Sequence, residues 1–129
     1  MERKVIQPVD MRDTRSRYSL GWRVGNTIYT AGQLANDEEG NLVAPNDIRA
    51  QTRHVWQKLS RILAVEGAKL SDVVKTTVYM TDLRYRDGYE EVHKEFFKSN
   101  SPSSTLVQVV GLALPGALIE IEAIAVVEN

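Results

Sequence analysis

The sequence predicts an α+β fold, a sandwich in which two helices cover one face of a mostly antiparallel sheet. Short strand-like runs stand at both ends of the chain, and two segments between them show helical spacing of apolar residues. These patterns follow the order strand, strand, helix, strand, helix, strand, strand. The central run, residues 72–81, is partly apolar on both faces, so we expect it to be covered on both sides.

The N-terminal part predicts two strands and little else. Residues 1–15 are polar and indicate no regular element. Residues 18–24 and 27–32 predict short strands joined by a tight turn at Gly25-Asn26. Residues 36–40 (NDEEG) predict a loop.

Two segments predict helices. The first follows a capping sequence at residues 45–47 and ends at Glu66 before Gly67, a favourable C-terminal stop. Its apolar face comprises Ile48, Val55, Leu59 and Ile62. The second ends near Lys98, and its apolar residues are Tyr85, Tyr89, Val92 and Phe96.

The remaining strands are rich in β-branched residues. The faces of residues 72–81 are Val74, Thr76, Val78 and Met80 on one side, and Val73, Lys75, Thr77 and Tyr79 on the other. Two further strands are predicted at about 103–110 and 117–127, around a Pro-Gly turn. Because two helices cover only one face of such a sheet, the other face stays largely apolar, which predicts self-association.

Length, charge and hydropathy limit the class of protein to which the chain can belong. The 129 residues and 14.5 kDa predict one domain over residues 1–129. Sixteen basic and seventeen acidic residues leave a net charge of −1, which does not favour binding to nucleic acid. No apolar run has the length of a membrane helix, and no signal or transit peptide is evident. We therefore expect a cytoplasmic protein without a membrane partner.

Common catalytic motifs do not occur. The sequence contains no GxGxxG or Walker loop and no GxSxG elbow, and it has no cysteine. His54 and His93 fall on separate predicted helices without an HExxH motif, so we expect a surface or packing role for each and no metal site.

Glu120 and Glu122 are the most informative polar residues. Strand alternation places both on the same face as Ile124 and Val126, where a carboxylate must be paired, solvated or used. One interpretation pairs each glutamate with a cation across a subunit interface. The other makes Glu120 a general base or water-holding group in a cleft. The residues alone leave both interpretations open.

Short motifs along residues 17–127 share their order and spacing with one known family. They are Tyr18, Gly25-Asn26, residues 30–33 (TAGQ), residues 67–79, Asp82-Leu83, Phe96-Phe97, Pro102 and residues 119–125. On these motifs the chain resembles the RidA/YjgF family, the reactive intermediate deaminases. The resemblance implies a chorismate-mutase-like fold and a homotrimer whose sheets line the centre, with small-molecule clefts between subunits.

The resemblance also implies an activity, the cofactor-free hydrolysis of imines and enamines to a carbonyl compound and ammonia. It assigns the positioning of water to Glu120 and part of the pocket wall to Tyr18, and we expect Ser104 to shape the pocket with Tyr18. The residues that would contact substrate are Thr30, Gly32, Gln33, Arg84, Arg86 and Thr105. No metal or organic cofactor is implied.

The chain departs from the family at Ser104, which stands where the family motif P-x-R-x-x-V has an arginine. That arginine binds a substrate carboxylate by two charged hydrogen bonds, whereas a serine offers one neutral bond. Arg84 or Arg86 is a candidate to supply the lost charge, and Arg17 is another. The alternative is that these arginines are solvent-facing surface charges.

Three functions remain. The first is a trimeric hydrolase of C=N bonds with altered substrate specificity. The second is a small-molecule-binding or stress-linked regulatory module on the same scaffold, without turnover. The third, a chorismate mutase, fits least well because its dianionic substrate requires several converging arginines.

Overall fold

The computed structural model of the chain describes residues 2–128. Within that range seven strands form one sheet, and two α-helices pack against it. The strands are β1 (Arg3–Ile6), β2 (Gly21–Val24), β3 (Thr27–Thr30), β4 (Gln33–Leu34), β5 (Val73–Met80), β6 (Ser103–Gln108) and β7 (Ile119–Val126). The helices are α1 (Ile48–Ala64) and α2 (Arg86–Phe96).

The sheet is mixed and mostly antiparallel. Its strand order is β1-β2-β3-β7-β5-β6, with β4 paired to β7 beyond the end of β3. Only β5 and β6 run parallel, because α2 returns the chain to the same end of the sheet between them. The predicted α+β class, with two helices on one face, is confirmed.

Helix α1 begins and packs as its sequence indicates. The Asp47 side chain accepts a hydrogen bond from the backbone nitrogen of Ala50 at 3.0 Å, which caps the first turn. Val55, Leu59 and Ile62 are fully buried, so the predicted apolar face is confirmed. The helix ends at Ala64 rather than Glu66, because the last turn tightens into shorter-range bonds before Gly67 adopts φ of +73°.

Strand β5 contains an irregularity that the sequence did not indicate. Its register against β7 shifts between Val73 and Lys75, so one extra residue lies between consecutive pairs. The shift leaves Val73 buried and Val74 exposed, although Val74 was predicted to share a face with Thr76. That prediction was wrong, since strict alternation holds only in a regular strand.

The N-terminal region differs most from expectation. Strand β1 lies within the segment predicted to lack structure, and it pairs with β2 at the edge of the sheet. Strand β2 begins at Gly21 instead of residue 18, because the backbone nitrogens of Arg17 and Tyr18 both bond to the carbonyl of Thr14 and form a turn. Among the residues of β1 only Ile6 is buried, so an edge strand of this kind carries little apolar signal.

The core lies between the helices and one face of the sheet, where Trp56, Val78 and Ile121 are fully buried. The opposite face, which we call the open face, exposes large apolar side chains. Trp22, Tyr29 and Val126 are 40%, 48% and 46% exposed there. Within the described part of the chain, neither helix has the length and apolar character needed to cross a membrane.

Candidate active site

Strand β7 separates its side chains between the core and the open face. Ile119, Ile121 and Ala123 are buried, whereas Glu120 and Glu122 alternate with them and are only partly buried. In the sheet register Glu120 stands opposite Tyr79 on β5 and opposite Leu34 on β4. The prediction that the two glutamates share one face is confirmed.

The Glu120 carboxylate is half-buried and lies against Gly32. A methyl group at Gly32 would approach its Oε2 to 2.5 Å, so the carboxylate requires a residue without a side chain at this point. Neither oxygen takes part in a hydrogen bond or ion pair within residues 2–128. Burial and the nearby Glu122 raise the pKa of Glu120 above its ordinary value of 4.5, and Lys58 partly opposes this shift.

Glu122 differs from Glu120 in having a partner. The Tyr79 hydroxyl donates to its Oε1 at 3.2 Å. Burial, followed by the charge and the hydrogen bond of Glu122, raises the pKa of Tyr79, so this phenol keeps its proton and remains a donor. Of the two glutamates, only Glu120 has an unengaged carboxylate that is able to act on a ligand or a water molecule.

A cleft of about 270 Å³, which we call the Lys58 cleft, lies beside β4, the strand that pairs with the Glu120 end of β7. It is enclosed by residues 11–20, residues 33–40, Ala113-Leu114 and Lys58. Tyr18 and Gln33, two of the residues predicted for the site, both line it, as does Leu34, the strand partner of Glu120. The structure therefore brings Tyr18 and Gln33 into one cleft, and this cleft is connected to Glu120 through the pairing of Leu34 with β7.

Lys58 is a polar residue of this cleft that our sequence analysis missed. It is only 8% exposed, and its Nζ donates to the carbonyl of Leu34 at 2.8 Å and to Oδ1 of Asn36. Burial lowers the pKa of Lys58 to about 8, against the opposing charges of Glu38 and Glu120. A signal was available in the sequence, because Lys58 lies three residues after Val55 and four before Ile62, on the buried helical face.

Ser104 lies on the other side of the sheet. Its strand neighbour Thr76 faces the helices, and the Thr76 hydroxyl donates to Ser104 Oγ at 3.0 Å. A second cleft, also about 270 Å³, runs between α2 and β6 and is lined by Ser104, Arg86 and Tyr89. Within one chain, therefore, Ser104 shares a cleft with Arg86 and does not share one with Glu120.

The two candidate arginines after β5 have acidic neighbours. Arg84 is paired with Asp82, its Nη2 lying 2.6 Å from Oδ2, and its side chain is 90% exposed. This pairing lowers the pKa of Asp82. Arg86 donates through Nε to Glu90 at 2.7 Å. Of the two, only Arg86 lines the cleft that contains Ser104.

Two further residues that were predicted to contact substrate accept hydrogen bonds from other parts of the chain. The hydroxyl oxygen of Thr30 accepts a bond from the backbone nitrogen of Ala123 at 3.0 Å, where β7 passes from β3 to β4. The hydroxyl of Thr105 accepts a bond from Lys75 Nζ at 2.9 Å. Thr30 thus supports the strand that carries Glu120, and Thr105 lies on the open face one strand beyond β5.

The histidines lie in packed surroundings. His54 Nε2 is 2.9 Å from the carbonyl of Asn36, and His93 stacks on Phe97 and lies 3.1 Å from Ser101 Oγ. Burial lowers the pKa of His93, which favours the neutral imidazole. In the described range no group of three acidic, histidine or cysteine side chains is placed to hold a metal ion.

Comparison with known proteins places this geometry in a family. The family model described as Endoribonuclease L-PSP matches residues 10–127. A RutC family protein of Pyrococcus abyssi is 42% identical over 108 residues, which is 84% of each chain.

Solved structures agree with this match. A protein of the conserved Rid family from Yersinia pestis is 30% identical with a TM-score of 0.90, covering 98% of this chain and 100% of that one. RidA from an Antarctic Psychrobacter species is 33% identical with a TM-score of 0.86, covering 96% and 99%.

Proposed function

The chain belongs to the RidA/YjgF family, the family of the Endoribonuclease L-PSP model, and from this premise we propose that it is a cofactor-free hydrolase of small imines and enamines. The observation that carries the proposal is the state of Glu120. Its carboxylate is half-buried, has a raised pKa and has no partner within residues 2–128, whereas Glu122 beside it is bonded to Tyr79.

The reaction requires few catalytic groups from the protein. An enamine first takes a proton on carbon and becomes a protonated imine. Water adds to the carbon of the protonated C=N bond and gives up a proton, which forms a carbinolamine. The nitrogen then takes up this proton, the C–N bond breaks to release ammonia, and the hydroxyl group loses its proton to form the carbonyl group. Glu120 accepts a proton from the attacking water and thereby raises its nucleophilicity. Tyr18 lines the Lys58 cleft, and the pairing of Leu34 in that cleft with Glu120 on β7 connects the cleft to this carboxylate. Holding water and substrate at this point supplies the orientation that the reaction in solution lacks.

Substrate specificity should differ from that of relatives with an arginine at position 104. A serine hydroxyl cannot replace a bidentate charged contact, which is worth roughly 1.5–3 kcal/mol for each charged bond. We therefore propose that any substrate carboxylate is bound by a cation elsewhere in the molecule. Arg86 is one candidate, since it lines the same cleft as Ser104.

We also propose a homotrimer. Ser104 and Glu120 lie on opposite faces of the sheet, so they can border one pocket only if different subunits supply them. The exposed Trp22, Tyr29 and Val126 on the open face give the subunits an apolar surface to bury.

Light scattering after size exclusion should give a mass three times the 14.5 kDa of the chain. Tyr29→Lys places a charge on the open face and should lower that mass. Val65→Lys, at a similarly exposed apolar residue just after α1, should leave it unchanged. A wild-type mass of 14.5 kDa would contradict the trimer.

The rate should depend on pH through Glu120. A carboxylate accepts a proton from water only when ionised, and burial followed by repulsion from Glu122 raises the pKa of Glu120 above 4.5. Hydrolysis should therefore decline as the pH falls through this raised pKa, and a plot of kcat against pH should show an acidic limb. The residual activity of Glu120→Gln should lack that limb; a limb that persists in the variant would assign the titration to another group.

The test of the proposed function is a panel of small imines, half with a carboxylate and half without, measured against buffer by the release of ammonia. Acceleration over buffer would establish a C=N hydrolase. Absence of acceleration on both halves would favour the binding module without turnover. An RNA substrate belongs in the panel because of the family description, although sixteen basic against seventeen acidic residues do not favour RNA binding.

A further inference from the structure

Lys58 carries a buried amino group that the proposed reaction does not use. The residue is only 8% exposed, and it forms no ion pair within residues 2–128. Its Nζ donates to two neutral oxygens, the carbonyl oxygen of Leu34 and Oδ1 of Asn36. An ammonium group has three N–H donors, whereas a neutral amine has two and a lone pair. The two acceptors therefore match the neutral amine and leave the third position of the nitrogen for its lone pair.

The surroundings of Lys58 favour this neutral form. Burial lowers the pKa of Lys58 to about 8. The charge of Glu38 opposes this shift, that of Arg61 adds to it, and that of Glu120 opposes it. The titratable residues that border the cleft with Lys58 are Arg12, Arg17, Tyr18, Asp37 and Glu38. At pH 7 about a tenth of the molecules then carry a free amine here, against on the order of a thousandth for an ordinary lysine.

The cleft beside this amine suits a short alkyl chain. Its volume is about 270 Å³, which holds a molecule of a few heavy atoms. Five of its residues are apolar, namely Met11, Leu20, Leu34, Ala113 and Leu114. The structure thus places an amine with a free lone pair at the edge of a small and partly apolar space.

We propose that Lys58 is a covalent binding site for short aliphatic aldehydes, which it holds as an imine. Its nitrogen adds to the aldehyde carbon, the electron pair of the C=O bond moves to oxygen, and one N–H proton passes to that oxygen. A solvent proton then lets the hydroxyl group leave as water, and the nitrogen lone pair forms a protonated C=N bond. The inference goes beyond the proposed function, because this imine forms on the protein itself and its formation does not require Glu120.

The hydrogen bonds around Lys58 tolerate this change. The protonated imine keeps one N–H, which can still donate to Oδ1 of Asn36. The carbonyl oxygen of Leu34 loses the amine, but it also accepts from the backbone nitrogen of Asn36 at 3.0 Å. Formation of the imine therefore leaves neither oxygen without a partner, and an unpaired buried acceptor would have been costly.

The test is reaction of the intact protein with butanal at pH 7 in the presence of cyanoborohydride, which adds hydride to the imine carbon and fixes the adduct. Peptide mapping by mass spectrometry then identifies the modified amines. We expect Lys58 to be modified at least about 10-fold faster than the exposed Lys98, because only the free amine attacks the aldehyde. Modification of Lys58 at the rate of Lys98 or below would overturn the proposal, and this result requires no variant to fold.

Asn36→Asp tests the cause of the reactivity with little change of shape. A carboxylate beside Nζ would pair with the ammonium form and raise the pKa of Lys58, so modification at pH 7 should slow about 10-fold or more. Asn26→Asp adds the same charge in the turn between β2 and β3, outside the cleft, and should leave the rate unchanged. A full rate in Asn36→Asp, or an equal loss in Asn26→Asp, would also overturn the proposal.

Failure of the covalent site and failure of the hydrolase can be told apart. Glu120→Gln should lose hydrolysis but keep the adduct, since the charge of Glu120 opposes the free amine. An adduct at Lys58 in a protein that hydrolyses no imine would support the covalent site and refute only the proposed reaction. Hydrolysis of imines without an adduct at Lys58 would refute only the covalent site.

Discussion

Replacement of Glu120 by glutamine is expected to lower kcat for imine hydrolysis by a factor of about 10² to 10⁴, the usual contribution of a positioned general base. Glutamine keeps the size and hydrogen-bonding capacity of the side chain but cannot take a proton from water. It also removes a half-buried charge, so the free energy of unfolding should not fall. The measurement is the single-turnover rate of ammonia release, with thermal unfolding as the check on the fold.

Glu122→Gln is the matched control for this prediction. Glu122 lies two residues along the same strand on the same face, but its carboxylate is bonded to the Tyr79 hydroxyl. Its loss should change kcat by less than about 10-fold, because an amide oxygen still accepts that bond. Equal losses in both variants would mean that the reaction needs the negative charge of the pair rather than a base at Glu120.

Gly32→Ala is expected to have the second largest effect on activity. The new methyl group would come within 2.5 Å of Glu120 Oε2 and 2.8 Å of its Cδ, so the carboxylate must move. A displacement of about 1 Å in a reacting group costs on the order of 10²-fold in rate. The strain is relieved by movement of a side-chain end, so we expect a small loss of stability and a large loss of kcat.

Gly111→Ala provides the comparison, because a methyl group there meets nothing within 4 Å. It should leave both kcat and the unfolding temperature close to wild type. The double variant Gly32→Ala with Glu120→Gln should be no slower than Glu120→Gln alone, since both changes act through one carboxylate. An additive loss in the double variant would show that Gly32 acts through a different group, and unchanged kcat in Gly32→Ala would remove Glu120 from the reaction.

Much of the fold could be predicted from periodicity. The spacing of Val55, Leu59 and Ile62 predicted the buried face of α1, and the alternation along residues 117–127 predicted the two faces of β7. These patterns are strong because each element buries one continuous face. Strand β1 was missed and β2 began later than predicted, because an edge strand and a polar turn bury few side chains.

The candidate site was predictable only in part. Glu120 was noticed because a carboxylate on an apolar strand must be paired, solvated or used. The family motifs indicated Tyr18 and Gln33. The grouping of Ser104 with Glu120 in one pocket stays a prediction. It needs a second subunit, since the strand register places the two side chains on opposite faces of the sheet within one chain. Lys58 went unnoticed because a lysine on a helix is usually solvent-exposed.

The sequence by itself determined the α+β class, the two helices and the membership of a family. It also determined that Glu120 and Glu122 lie on the same face of one strand. These depend on local periodicity and short motifs, which are patterns among residues close together in the sequence. Only the tertiary structure decided that Glu120 is unpaired within the described chain while Glu122 is bonded, and that Lys58 is buried beside Tyr18. Such facts depend on which segments distant in sequence come into contact. The burial and pairing of a charge follow from those contacts and cannot be read from any one segment.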